Sequence, residues 1–239
     1  MTAAVRGIQE QVAWACRILG QEGYLDLTLG HASARAASTR IVHIKRKGPA
    51  LDEVRPEDVL ALDLDDPDAL RAPDLHLETA MHTEVYRARP DVGAIIHGHP
   101  TYATALGATD AGLEFLTHDA ALFADGLPIF EETTGLISTP EDGRAVARAL
   151  GSCRAVLLRN HGVLVVGQDL RWAVLTAVTL ERAIRFQATA ARFGPSKPYS
   201  QVCADRLLPV KYQESFLDEY WAAWVRRARR CSGQEELWE

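Results

Sequence analysis

The sequence predicts a mixed α/β fold, on three observations. Short runs such as Ile41-Val-His-Ile-Lys45, Val59 to Leu64, Ala155 to Leu158 and Val163 to Val166 have strand length and strand composition. Apolar residues recur at helical spacing over 8–19, 76–89, 139–150, 169–193 and 211–230. Glycine and proline punctuate the joins between the two kinds of segment. With 239 residues, 47% of them hydrophobic and 24% charged, the chain can bury a sizeable core. It reads as one domain over 1–239, with 195–239 as a C-terminal helical extension beyond Gly194-Pro-Ser-Lys-Pro198.

In chain order, Ile8, Val12, Ala15, Cys16 and Leu19 share one helical face, and Gly20 stops that helix. Gly30 turns the chain between strand-like pieces within Leu25 to Arg35, and Ile41 to Lys45 follows as a second strand. Lys47-Gly48-Pro49 is a turn, and Arg55-Pro56-Glu57-Asp58 is a helical turn leading into the strand at Val59 to Leu64. Over 76–89, Glu78, His82 and Tyr86 recur at i, i+4 and i+8, which aligns them on one helix face; Arg89-Pro90-Asp91 ends the helix. Gly93 to Pro100 is a strand, and Thr101 to Leu106 starts a helix with Pro100 at its first turn. Leu116 to Gly126 fits either a helix or a strand. Thr139 caps a helix that Gly151 stops, and the apolar strands on either side of Arg159-Asn160-His161-Gly162 form a hairpin. Asp169 caps a long helix to 193, and a second amphipathic helix covers 211–230 with Phe216, Tyr220, Trp221 and Trp224 available for packing.

Composition excludes several classes. A net charge of −6 leaves no basic face for nucleic acid, and the basic runs Lys45-Arg46-Lys47 and Arg226 to Arg230 read as solvated edges. The four cysteines form no C-x-x-C pair, so neither a disulfide scaffold nor a thiolate metal site is expected, and a reducing cytoplasm fits best. The start, Met-Thr-Ala-Ala-Val-Arg, lacks a signal peptide's apolar core, and no apolar run approaches the roughly 20 residues that span a bilayer.

The chemistry centres on His97-Gly-His99. Side chains at i and i+2 of an extended segment point the same way, about 7 Å apart at the backbone, so the two imidazoles can converge on a divalent metal ion. A lone histidine such as His161 is more often a hydrogen-bonded core residue. Three imidazoles with an open position nevertheless describe catalytic zinc, and His97, His99 and His161 form that set if the hairpin lies beside the first strand. Glu78 is then a fourth ligand or, once displaced, the acid–base group.

The order Glu78-x3-His82-x3-Tyr86-x2-Arg89-Pro90-Asp91-x5-His97-x-His99-Pro100, followed by Asn160-His161-Gly162-Val163, resembles the class II aldolase/adducin family, from about Gly30 to Phe193. The resemblance implies a three-layer α/β/α sandwich around a mostly antiparallel sheet, assembled as a homotetramer with sites at subunit boundaries. It makes His97, His99 and His161 the ligands of Zn2+ (alternatives Mn2+, Fe2+ or Co2+) and Glu78 the catalytic carboxylate. It also implies a second acid or base from a neighbouring subunit, here His118 and then Asp119, where sugar-phosphate aldolases place a tyrosine.

Departures from the family pattern set the substrate expectation. Gly30-His31 stands where sugar-phosphate members have Gly-Asn, Lys47-Gly48-Pro49 where they have a Thr- or Ser-containing glycine turn, and His76-Leu77 where they have Ser-Ser. A phosphate would lose donors at each point, while Lys45, Arg46 or Lys47 remain available for a carboxylate. The expectation is a metal-dependent lyase for a non-phosphorylated hydroxy or oxo acid, with decarboxylation of a small hydroxylated aromatic acid first and retro-aldol cleavage second. Gly30, His31, Lys47, Gly48 and His76 are its candidate substrate contacts. An Fe(II) oxygenase and a metal-free adducin-like scaffold are the other classes, the scaffold opposed by the intact histidines and Glu78.

Overall fold

The computed structural model describes residues 3–36, 39–133 and 135–232; Met1, Thr2 and residues 233–239, which belong to the expected leaderless start and C-terminal extension, lie outside the described residues. Seven strands form one sheet: β1 (His31–Arg35), β2 (Ile41–Lys45), β3 (Val59–Asp63), β4 (Ala94–Gly98), β5 (Ile129–Phe130), β6 (Ala155–Leu158) and β7 (Gly162–Gly167), in the order β3-β2-β1-β4-β7-β6-β5. Every neighbouring pair is antiparallel except β5 with β6. Helices α1 (Ala3–Leu19), α3 (Thr101–Gly107) and α5 (Leu170–Ala190) cover one face, and α2 (Thr79–Ala88) and α4 (Pro140–Leu150) cover the other.

Strand alternation divides the core between those layers. Ala94 and Ile96 of β4 join Val12, Leu19, Val174 and Ala177 in one apolar cluster, while Ile95 joins Met81, Val85, Val146 and Leu150 in the other. Burying side chains of this size contributes about 1.5–3 kcal/mol each relative to exposure. The three-layer α/β/α sandwich expected from the sequence is therefore present, and the sheet is mostly antiparallel.

Several local expectations change. The β4 ladder ends at Gly98, so His99 lies just past the strand. Helix α2 begins at Thr79, and Glu78 is its N-cap with φ −90° and ψ 14°; it shares no helix face with His82 and Tyr86. The ambiguous segment 116–126 holds a short 3-10 turn at Ala120–Phe123. Residues Gln201–Lys211 form a helix, α6, capped by Ser200 and carrying Pro209 inside it, where the sequence suggested only a connection. The last helix, α7 (Glu214–Ser232), starts three residues late; its Ala228 is buried, and Trp221 and Trp224 pack on the α1/α5 core. Among the described residues no helix is long and apolar enough to cross a membrane.

All four cysteines are free thiols. Cys16 lies in the α1 core, and burial pushes its thiol up to about 12. Cys203 and Cys231 are exposed. A thiol-reactive aromatic disulfide at neutral pH is expected to label those two at once and Cys16 only after denaturant is added, which absorbance of the released thiolate would record. Rapid native labelling of Cys16 would contradict this packing.

Candidate metal centre

Three backbone features bring the chemistry together. In the sheet, His97 of β4 lies between His31 of β1 and Leu164 of β7. The β6–β7 hairpin closes through Arg159-Asn160-His161, with Asn160 at φ 56°, a left-handed conformation that asparagine tolerates well. Gly162 follows because a Cβ there would stand 2.5 Å from the Gly98 carbonyl oxygen and 2.6 Å from His99 Cδ2. Hairpin and strand end can thus approach closely enough to join His161 to His97 and His99. The third feature is the start of α2, which delivers Glu78.

One ligand atom from each of Glu78, His97, His99 and His161 lies within 4.8 Å of the others. Ring centroids are 4.9 Å apart for His97 and His99, 5.0 Å for His97 and His161, and 5.2 Å for His99 and His161. Glu78 Oε2 is 3.3 Å from His97 Nε2 and 3.4 Å from His161 Nε2, while Oε1 accepts a hydrogen bond from the Ile137 amide at 3.1 Å.

Proton placement shows what this cluster fits. His97 Nδ1 donates to the Val163 carbonyl at 3.0 Å, and His99 Nδ1 donates to Asp26 Oδ2 at 2.9 Å. Carbonyl and carboxylate oxygens only accept, so each neutral imidazole keeps its proton on Nδ1 and turns an Nε2 lone pair inward. With its proton on Nδ1, His97 Nε2 is buried without a donor to meet it, 3.3 Å from Glu78 Oε2. Unpaired lone pairs facing a carboxylate repel unless a cation lies among them. Three imidazoles and a carboxylate fit a divalent ion such as Zn2+, and suit Mn2+, Fe2+ or Co2+ by donor type.

Burial holds His97 below the ordinary imidazole range. Burial opposes ionisation of Glu78, but hydrogen bonds and positive charge from the His161 and His97 side outweigh it and keep the carboxyl well below the usual carboxylate range; a divalent ion among inward lone pairs would act in the same direction.

Beside this cluster stands a second wall, of two neutral imidazoles ending in one ammonium. His31 is buried, with its ring 5.1 Å from that of His97 and 4.5 Å from that of His76. Gly30 before it has φ +77°, a turn that suits glycine. Lys45, expected on a solvated edge, is fully buried: it donates to the Thr28 and Arg46 carbonyls at 3.3 Å and meets His76 Nε2 at 3.2 Å. A run of three basic residues conceals this, because β2 is buried on both faces from Val42 to Lys45 and emerges only at Arg46 and Lys47. Burial and then the Lys45 charge push His76 down to about 4. Lys47 is exposed, in a turn tied to the Asp74 carbonyl, with Gly48 at φ +107°.

His118 is exposed. Asp119 is buried and spends its carboxylate on Arg182 of α5, at 2.8 Å, and on Lys211 of α6. Within this chain Asp119 is thus an ion-pair hub linking two helices. Asp26, the Val163 carbonyl and the Ile137 amide were not legible as site groups; each lies far in sequence from the residue it orients.

The family described as Class II Aldolase and Adducin N-terminal domain matches residues 10–188. The chain belongs to that family. Among relatives, it is 38% identical over 118 residues to a Streptomyces roseochromogenus subsp. oscitans protein named 4-hydroxy-3-prenylphenylpyruvate oxygenase/4-hydroxy-3-prenylbenzoate synthase. That match covers 49% of this chain and 43% of the relative, less than half of its length. A 3,4-dihydroxyphthalate decarboxylase from Arthrobacter keyseri is 29% identical over 203 residues, 77% of this chain and 80% of that protein. The solved L-fuculose 1-phosphate aldolase from Glaciozyma antarctica PI12 superposes with a TM-score of 0.81 at 23% identity, covering 98% of this chain and 95% of that one. The last likeness shows that the class II aldolase fold is shared.

The Asp26 contact gives a direct test of the centre. Asp26→Ala frees the His99 ring, and loss of such an orienting partner weakens metal affinity by about 10- to 100-fold. Competition with a chromophoric chelator would measure the loss; unchanged zinc affinity would remove His99 from the ligand set.

Proposed function

We propose that the chain is a divalent-metal-dependent carbon–carbon lyase for a non-phosphorylated hydroxy or oxo carboxylic acid, acting as a decarboxylase of a small hydroxylated aromatic acid. The observation that carries this reading is the buried Lys45 ammonium, which reaches the Glu78, His97, His99 and His161 donors by way of His76 and of His31, the neighbour of His97. Among the described residues Lys45 has no carboxylate in hydrogen-bonding contact, only carbonyls and His76. Burying such a charge costs on the order of several kcal/mol; the nearby Asp58 carboxylate offsets part of this, and an anionic ligand group would offset more. Leu77, between His76 and Glu78, is 70% exposed, and Leu136, next to the Ile137 amide that holds Glu78, is 59% exposed. Two apolar side chains adjoining site groups suit a ring better than a sugar phosphate. The decarboxylase name of the Arthrobacter keyseri relative supports the same reading.

In this reading His97, His99 and His161 hold the ion, which when bound supplies electrophilic stabilisation of negative charge beside the breaking bond. Lys45 attracts the acid, with neutral His76 lining its approach. Glu78 accepts the proton of the ligand's hydroxyl and returns it to the ring carbon as the carbon–carboxyl bond breaks, the electron pair stays on that carbon and carbon dioxide leaves. The enzyme is a cytoplasmic homotetramer, and exposed His118 reaches a neighbour's site as the second acid or base.

Metal-loaded protein is expected to release carbon dioxide from at least one member of a panel of hydroxybenzoates and hydroxyphthalates. Glu78→Gln should lower kcat by about 100-fold or more with metal still bound. Aldehyde formation from a hydroxy-ketone, with no carbon dioxide from any acid, would replace this reading with a retro-aldolase. Oxygen consumption would favour the Fe(II) oxygenase that the name of the Streptomyces relative suggests. If His118 acts across a boundary, mixing and reassembling the inactive Glu78→Gln and His118→Ala proteins restores turnover; a mixture that stays inactive would place both groups in one subunit's site or remove His118 from it.

A further inference from the structure

Four buried polar side chains run from the edge of the metal centre into the layer between the sheet and α2. His31 Nδ1 lies 2.9 Å from His82 Nε2, His82 Nδ1 lies 2.7 Å from Ser33 Oγ, and Ser33 Oγ lies 2.9 Å from the Tyr86 hydroxyl. All four residues are at most 2% exposed. The geometry follows from two periods: residues 31 and 33 share a face of β1, and residues 82 and 86 are one turn apart on α2.

Each contact carries one proton, so the chain has a direction, and its closed end decides it. Ser33 Oγ is the side-chain partner of the Tyr86 hydroxyl among the described residues, and the Ile95 backbone group that also meets this hydroxyl is a donor to it, not an acceptor. With the chain reversed, the phenolic proton would be buried with no acceptor, at a cost of about 1–3 kcal/mol. Tyr86 therefore donates to Ser33, Ser33 donates to His82 Nδ1, and His82 donates through Nε2 to His31 Nδ1. A neutral imidazole holds one proton, which leaves that of His31 on Nε2. This is the opposite tautomer to His97 and His99, which turn lone pairs inward.

We infer that Tyr86, Ser33 and His82 are positioning residues that hold His31 as an Nε2–H donor toward an anionic ligand at the Glu78, His97, His99 and His161 centre. The ligand's identity as a hydroxy acid rests on the lyase reading above; the tautomer does not. His82 and Tyr86 thereby acquire a role distinct from helix packing, and His31 one distinct from stabilising a turn.

The test is two-bond 1H–15N spectroscopy of protein labelled with 15N-histidine, with and without zinc, using His31→Gln to identify the His31 signals. Wild type is expected to show a protonated Nε2 and an unprotonated Nδ1 on His31. Tyr86→Phe and Ser33→Ala should each admit the other tautomer and weaken 2-hydroxybenzoate binding to the zinc-loaded protein by about tenfold or more, with zinc affinity unchanged. Ser33→Ala serves if Tyr86→Phe fails to fold. A protonated Nδ1 on wild-type His31, or variants that leave its tautomer unchanged, would overturn the inference. The expected tautomer without carbon dioxide release from any panel acid would sink the decarboxylase reading and uphold the proton chain.

Discussion

A slip of one residue in the pairing of β4 with β1 and β7 would turn His97 to the α1/α5 side of the sheet and carry Ile96 into its place. The register is held by the alternation itself, because Ala94 and Ile96 pack against one helical layer and Ile95 against the other. The apolar core thus decides which way a catalytic-type imidazole points. His31, Ser33 and Glu78 meet it from the same side only because β1 and α2 are registered against that strand.

The polar groups around this register divide by what each imidazole can offer. The Val163 carbonyl and Asp26 take protons from Nδ1 of His97 and His99 and leave acceptors facing Glu78. Ser33 and Tyr86 act through His82 in the reverse sense and leave a donor on His31. Lys45 adds a buried positive charge at the end of the same wall. A pocket that presents acceptors on one side and donors on the other suits a ligand carrying a cation against its hydroxyl and an anion beyond it.

Much of the fold was legible in the sequence because its signals are local. Thr139 as a cap with Pro140 behind it, Asp169 before the long helix, and the glycine closing Asn160-His161-Gly162 all act within four residues, and all are found in place. The ligand set was legible because His-x-His and Asn-His-Gly are themselves local patterns. Helix α6 was obscured by Pro209, which tertiary packing overrides. Lys45 was misread because charge runs report composition, whereas its burial follows from β2 lying inside the sheet with both faces covered. The partners that orient the histidines lie beyond any sequence pattern: Asp26 is 73 residues from His99, and Val163 is 66 from His97.

The family match ends at residue 188, but the folded body does not. Lys211 of α6 shares the buried Asp119 carboxylate with Arg182 of α5, and α7 lays Ala228, Trp221 and Trp224 on the core beneath α1 and α5. Trimming the chain to the matched span would strip one cation from a buried carboxylate and uncover the back of the helical layer that supports β4. Homology and cohesion therefore draw different borders on this molecule, and recombinant design should respect the second.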